Sequence, residues 1–228
     1  QALCLSYFER ISDNPINSAT FLTSMIDFSE PGDLGFFVDE EIVEKLEVIM
    51  EADGYLDGSH MSQVFNILRA NDLIWHFFVN NYLKGKSPDA FDILYWNSDS
   101  TRLPRKMHSF YLREMYLKNS LAKPNALSME GIEIDIMKIS IPTCFVSAVE
   151  DHIAPWRSTF AGAKLLGGEK TFILTNGGHV AGIVNPPANS RYSHYVSKLD
   201  YNLPDEWLEN ANDIKGSWWT TWASWLAE

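Results

Sequence analysis

The sequence predicts an α/β fold: a parallel sheet with helices packed around it, interrupted by a helical insertion. Three observations predict it. Short β-branched and apolar runs alternate with helical stretches near both ends of the chain, the middle third is helical and loop-rich, and polar residues gather just past two of the apolar runs. With 228 residues and 46% hydrophobic content there is ample material for one compact unit.

In chain order, Leu3, Tyr7, Phe8 and Ile11 recur at helical spacing. Gln1 enters that pattern midway with no initiator methionine, which reads as a cut chain. Asp13, Asn14 and Pro15 make a turn, and residues 19–28 (ATFLTSMIDF) form a buried-strand run. Residues 27–57 turn strongly acidic. Asp39 caps a helix whose apolar face is Ile42, Val43, Leu46, Ile49 and Met50, and Gly54 ends it. Residues 71–83 predict a second helix, stopped at Gly85, and residues 104–117 a third.

The α/β rhythm then resumes. Ile132, Ile134 and Ile136 alternate with Glu133 and Asp135 as an edge strand does, residues 143–149 read as a central strand, 156–166 as a helix and 171–174 as another strand. Strands separated by one helix pair in parallel. Residues 1–28 and 124–228 are therefore assigned to one α/β core and 29–123 to the insertion. At the C-terminus, Trp218, Trp222 and Trp225 stand at helical spacing with Trp219 beside them, a stripe expected to dock a helix on the core, with a polymer-binding surface as the alternative.

Composition narrows the function. A formal net charge of -12, from 18 basic and 30 acidic residues, argues against general affinity for nucleic acid or an anionic membrane. No run approaches the ~20 apolar residues that span a bilayer. Two cysteines, Cys4 and Cys144, are too few for a disulfide framework or a zinc site, which suits a reducing cytoplasm; no metal or cofactor is implied.

In a parallel sheet, polar residues past the C-terminal strand ends share one rim. Glu150, Asp151 and His152 follow one strand and His179 follows the next, the acid-then-histidine order of the α/β-hydrolase triad, whose nucleophile precedes both on a glycine-flanked elbow. There the carboxylate fixes the imidazole tautomer and the imidazole takes the nucleophile's proton. Gly177, Gly178 and Gly182 let the His179 loop turn tightly. His179 reads equally as a hydrogen-bonding loop residue, and Asp151 as a turn or cap residue before Pro155. His152 competes for the base's role but sits next to the acid and cannot easily face it.

EDHIAPW at 150–156, GGHVAGIVNPP at 177–187, NDLIWHFFVNNYLKG at 71–85, FDILYWN at 91–97 and GSWWTTWASWL at 216–226 together resemble the C-terminal part of a poly(3-hydroxyalkanoate) synthase, most similar to the type I enzymes. The resemblance covers nearly the whole chain in the same order. It implies an α/β-hydrolase domain with a Cys-His-Asp triad that polymerises 3-hydroxyacyl-CoA, 3-hydroxybutyryl-CoA above all, and releases CoA. The family's acid falls on Asp151 and its base on His179. The nucleophile does not carry over: the family has it in a G-x-C-x-G box shortly before the helix with which this chain begins. Cys4, in ALCLSYF, has no glycine before Gly32 and is expected to pack as a small buried hydrophobe; Cys144 is expected in the core. Since losing a triad nucleophile costs on the order of 10^6 in kcat, the chain alone is expected to be catalytically silent.

The resemblance further implies that the insertion is a lid, with Tyr95 and Trp96 lining an acyl channel or else packing in the core. His152 is a candidate substrate contact. Arg102 and Arg105 lead a basic run with Lys106, Arg113, Lys118 and Lys123 against the one acid Glu114, suited to CoA phosphates or simply a solvated face. The implied partners are the acyl-CoA, the growing polyester, a cytoplasmic polymer granule and a second copy of the enzyme. The alternatives are an esterase or depolymerase with an upstream serine, and a noncatalytic synthase-like binding protein.

Overall fold

The structure, a computed structural model, describes residues 1–11, 14–60, 64, 67, 70, 74–87 and 101–227. They fall into two compact units, Gln1–Phe36 with Glu114–Glu228, and Phe37–Arg113.

Among the described residues the strands all belong to the first unit: β1 (Ala19–Leu22), β2 (Leu127–Met129), β3 (Ile132–Ile134), β4 (Thr143–Ala148), β5 (Lys170–Thr175), β6 (His194–Lys198) and β7 (Asn212–Ile214). Five of them make one sheet in the order β1-β4-β5-β6-β7. β1, β4 and β5 are parallel, because the helix Trp156–Lys164 carries the chain back along one face between β4 and β5. β6 and β7 extend the sheet antiparallel.

Alternation along the strands divides the core. On one face Phe21, Phe145, Phe172 and Leu174 join Ala2 and Leu5 of the helix Ala2–Ile11, Phe160 of the helix Trp156–Lys164 and Trp207 of the helix Pro204–Asn210. Phe21 stacks on Phe145, and Trp207 meets Phe172 edge-on at 5.0 Å between centroids. The opposite face is Cys144, Val146 and Ile173, covered by Trp218 with Trp222 and Trp225 of the C-terminal helix Trp218–Ala227. β4 is buried at every position, as a strand covered on both faces must be.

Several expectations need correction. The strand expected over 19–28 stops at Leu22; Thr23 turns the chain at φ 41°, and Ile26 and Phe28 are buried from irregular backbone. Ile132 and Ile134 do not edge the main sheet: β3 pairs with β2 as a separate hairpin through Glu130 and Gly131, both at positive φ, and Ile136 lies in a 3-10 turn. Alternation shows that a strand has two faces but not which strand it pairs with.

In the second unit Asp39 caps the helix Glu40–Asp53, accepting the Ile42 N–H at 2.7 Å, and Gly54 ends it at φ 78° with its N–H on Met50 O. Val43 and Met50 are buried, whereas Ile49, expected on that face, is 44% exposed. Of the helix expected over 71–83, residues 71–73 lie outside the described residues and Phe78–Leu83 winds as a π-helix. Residues 104–117 are helical in two pitches, an α-helix Arg105–Phe110 and a π-helix Tyr111–Leu117.

Candidate active site

Asp151 stands where β4 runs out, its N–H on Ala148 O at 3.2 Å. Its Oδ1 accepts the N–H groups of Ile153 and Ala154, each at 2.8 Å, closing the turn that delivers Pro155 to the start of the helix Trp156–Lys164. Its Oδ2 accepts from His179 Nδ1, also at 2.8 Å. One carboxylate thus serves the turn and the histidine, and its side chain is 0% exposed, against 29% for His179.

The two strand ends are zipped together beyond the sheet. Val149 N–H donates to Thr175 O and Glu150 N–H to Gly177 O, so the chain carrying the acid and the chain leading to His179 leave the sheet as a pair. Gly177 is at φ 100°, and a Cβ there would stand 3.1 Å from the Tyr192 ring. At Gly182 a Cβ would meet Gly178 O at 2.9 Å and Ala148 at 3.1 Å. These two glycines are required by the backbone's path and closeness. A Cβ on Gly178 would meet nothing nearer than Glu150 O at 3.8 Å.

A carboxylate only accepts, so in the neutral imidazole of His179 the proton sits on Nδ1 and the lone pair on Nε2. Such an imidazole can take a proton from a neighbouring O–H or S–H while the buried carboxylate stabilises the cation that results.

The structure brings Asp151 and His179 together and leaves His152 on the following turn residue, partly buried. Tyr95 and Trp96 lie outside the described residues. Within the second unit Arg102 sits 3.7 Å from Asp57 and over the Tyr55 ring, and Arg105 is 3.5 Å from Glu51. Arg113 forks onto both oxygens of Glu47 at 2.8 Å and also bonds Glu40. Lys118 pairs with Glu114. Four of the six basic residues of the run thus meet acids of the same chain, whereas Lys123 Nζ donates to Lys118 O.

The cysteines divide. Cys144 is buried on β4, and desolvation pushes its thiol up to about 12. Cys4 is exposed, not buried as expected. Its helix turns Ala2, Leu5 and Ser6 inward, and position 4 falls off that face at 3.6 residues per turn.

Sequence reasoning missed what holds the loop. Buried Asn185 accepts from Arg191 N–H and donates to Tyr192 O, closing the segment after the prolines. Fully buried His194 bonds Gly216 O and Thr221 Oγ1. No local periodicity marks either residue.

Among the described residues no three His, Cys, Asp or Glu side chains are grouped to hold a metal ion, and no helix is long and apolar enough to cross a membrane.

The chain is 47% identical, over 94% of its length, to the poly(3-hydroxyalkanoate) polymerase subunit of Rhizobium meliloti, of which it covers 35%. It is 42% identical over its whole length to the poly(3-hydroxyalkanoate) polymerase of Methylorubrum extorquens, covering 38%. The corresponding subunit of Cupriavidus necator is 40% identical over 94% of the chain, with 37% covered. The chain therefore spans little more than a third of the length of these curated relatives. The family described as alpha/beta hydrolase fold matches residues 2–186, taking in β1, β4, β5 and both rim residues, and the chain belongs to that family.

Proposed function

We propose that this chain carries the acid and the base of a poly(3-hydroxyalkanoate) polymerase, Asp151 and His179, and that the thiol they serve stands on a glycine-flanked elbow in the sequence preceding Gln1. The observation that supports this most directly is the 2.8 Å contact between Asp151 Oδ2 and His179 Nδ1 at the rim of the parallel strands. The name shared by the relatives supports the substrate class.

In this reading His179 Nε2 takes the thiol proton, and the thiolate attacks the thioester carbonyl of a 3-hydroxyacyl-CoA. The carbonyl–sulfur bond to CoA breaks, and the CoA sulfur leaves with the proton from the imidazolium. For elongation the same Nε2 takes the proton of a 3-hydroxyl, whose oxygen attacks the acyl-enzyme and frees the enzyme sulfur to recover that proton. Asp151 holds the tautomer throughout. On the resemblance alone, residues 29–123 are an inserted lid, and Tyr95, Trp96, Arg102, Arg105 and His152 are candidate substrate contacts. The cytoplasmic granule and the homodimer belong to the same proposal and rest on the resemblance alone.

The test is CoA release from 3-hydroxybutyryl-CoA by the full-length protein and its His179→Ala variant. The wild type releases CoA, and the variant is expected to be slower by about 10^4 or more. Wild-type turnover by the variant would overturn the assignment.

A further inference from the structure

The C-terminal tryptophans do more than cover the sheet. Trp218 and Trp219 both aim their indole N–H groups at one backbone oxygen, Ile183 O, at 3.1 and 3.0 Å. That oxygen also accepts the Asn185 N–H from within the loop at 3.0 Å. Ile183 lies one turn beyond His179, in a run of tight turns where Gly182 N–H donates to Gly178 O and Val184 N–H to Val180 O. The near end of the loop is fixed by the bond from Glu150 N–H to Gly177 O, and the far end by the two indoles.

The helix that presents them is itself anchored. Gly216 O can only accept, so His194 Nδ1 donates to it at 3.0 Å, and Nε2 receives the Thr221 hydroxyl at 2.8 Å. Trp222 Nε1 donates to Thr20 Oγ1 on β1 at 2.8 Å. The Ile183 side chain packs with Trp218 over Cys144, Val146 and Ile173. A rigid element fastened to the sheet therefore grips the loop that carries His179.

We propose that Trp218 and Trp219 are positioning residues for the acyl transfer: their paired indole N–H groups clamp the Ile183 carbonyl and so hold His179 in line with Asp151. This rests on the proposed roles of those two residues. Active groups must be held to about half an ångström by the structure behind them, and a misplacement of about 1 Å costs on the order of 10^2 in rate.

The test uses full-length protein with Trp219→Phe and the double variant Trp218→Phe/Trp219→Phe, which keep aromatic rings and remove the donors. Trp219 is 37% exposed, so the single variant is the one that folds if the double does not. Expected are a fall in kcat of about tenfold with KM unchanged and faster amide hydrogen exchange at Gly182–Val184. Wild-type kcat in the Trp219 variant would overturn the clamp, as would a loss carried by KM and not by kcat. Activity in His179→Ala would sink the catalytic assignment instead, and exchange at Gly182–Val184 would still decide whether the indoles hold the loop.

Discussion

At Asp151 the division of labour between two oxygens makes the two obvious substitutions unequal. Alanine removes the acceptor for the Ile153 and Ala154 amides as well as the partner of His179, so it unsettles the turn and confounds stability with catalysis. Asparagine can keep Oδ1 on the two amides, but it then points an NH2 donor at His179 Nδ1. The imidazole must accept there and carry its proton on Nε2, where the base is needed. Asp151→Asn in the full-length protein is therefore expected to lower kcat by about 10^4 while moving Tm little. A variant within tenfold of wild type in CoA release would show that the tautomer is set by something else. That these two side chains meet at one rim was legible in the sequence, because each follows a strand of a parallel pair, which fixes the rim without any knowledge of side chains. Cys4 was not legible: its exposure depends on the phase of a helix whose buried face is Ala2, Leu5 and Ser6. Nor was His194, whose partners at 216 and 221 are brought to it only by the antiparallel pairing of β7 with β6, which sets Ile214 opposite His194.

Among the elements, the helix Glu40–Asp53 shows what local chemistry determines and what it does not. Its start at Asp39 and its stop at Gly54 follow from side-chain capping and a left-handed glycine, both readable from sequence. Its partner does not follow: Glu47 is engaged by Arg113 and Ser109, more than sixty residues on. Those hydrogen bonds, Arg113's foremost, hold the Glu47 carboxyl at about 2, well below its ordinary 4.5. A carboxyl depressed on folding contributes stability that is full above its unfolded value and is lost as pH falls toward the folded one. The difference in Tm between wild type and Glu47→Gln is thus expected to be constant above pH 4.5 and to close between there and about pH 2. A gap that persists undiminished at pH 2 would mean that packing, and not ionisation, is what Glu47 supplies. Short strands such as β7, exposed at all three of its positions, carry no apolar pattern at all, which is why the antiparallel edge of the sheet escaped prediction.

For the molecule as a whole, the question is whether the chain's own sulfur can serve His179. Cys144 is the second residue of β4 and the rim begins at the strand's last, Ala148, so the thiol lies about 13 Å back along the strand from the rim at 3.3 Å per residue. It is also in the core, with its ionisation pushed up to about 12, and cannot supply a thiolate near neutral pH. Cys4 is exposed but sits inside the helix Ala2–Ile11, where the side chain leaves a regular backbone rather than a strained strand-to-helix turn between glycines. An acid and a base without a positioned nucleophile cannot turn over a thioester. The 228-residue chain, shown folded by circular dichroism, is therefore expected to release CoA from 3-hydroxybutyryl-CoA at the rate of buffer, while the full-length protein exceeds that rate by orders of magnitude. Release by the chain alone that disappears in Cys4→Ala would assign the thiol to the helix and remove the need for an elbow before Gln1. Release that survives Cys4→Ala and Cys144→Ala together would mean that no thiol is required, and the reaction proposed for Asp151 and His179 would have to be a direct hydrolysis.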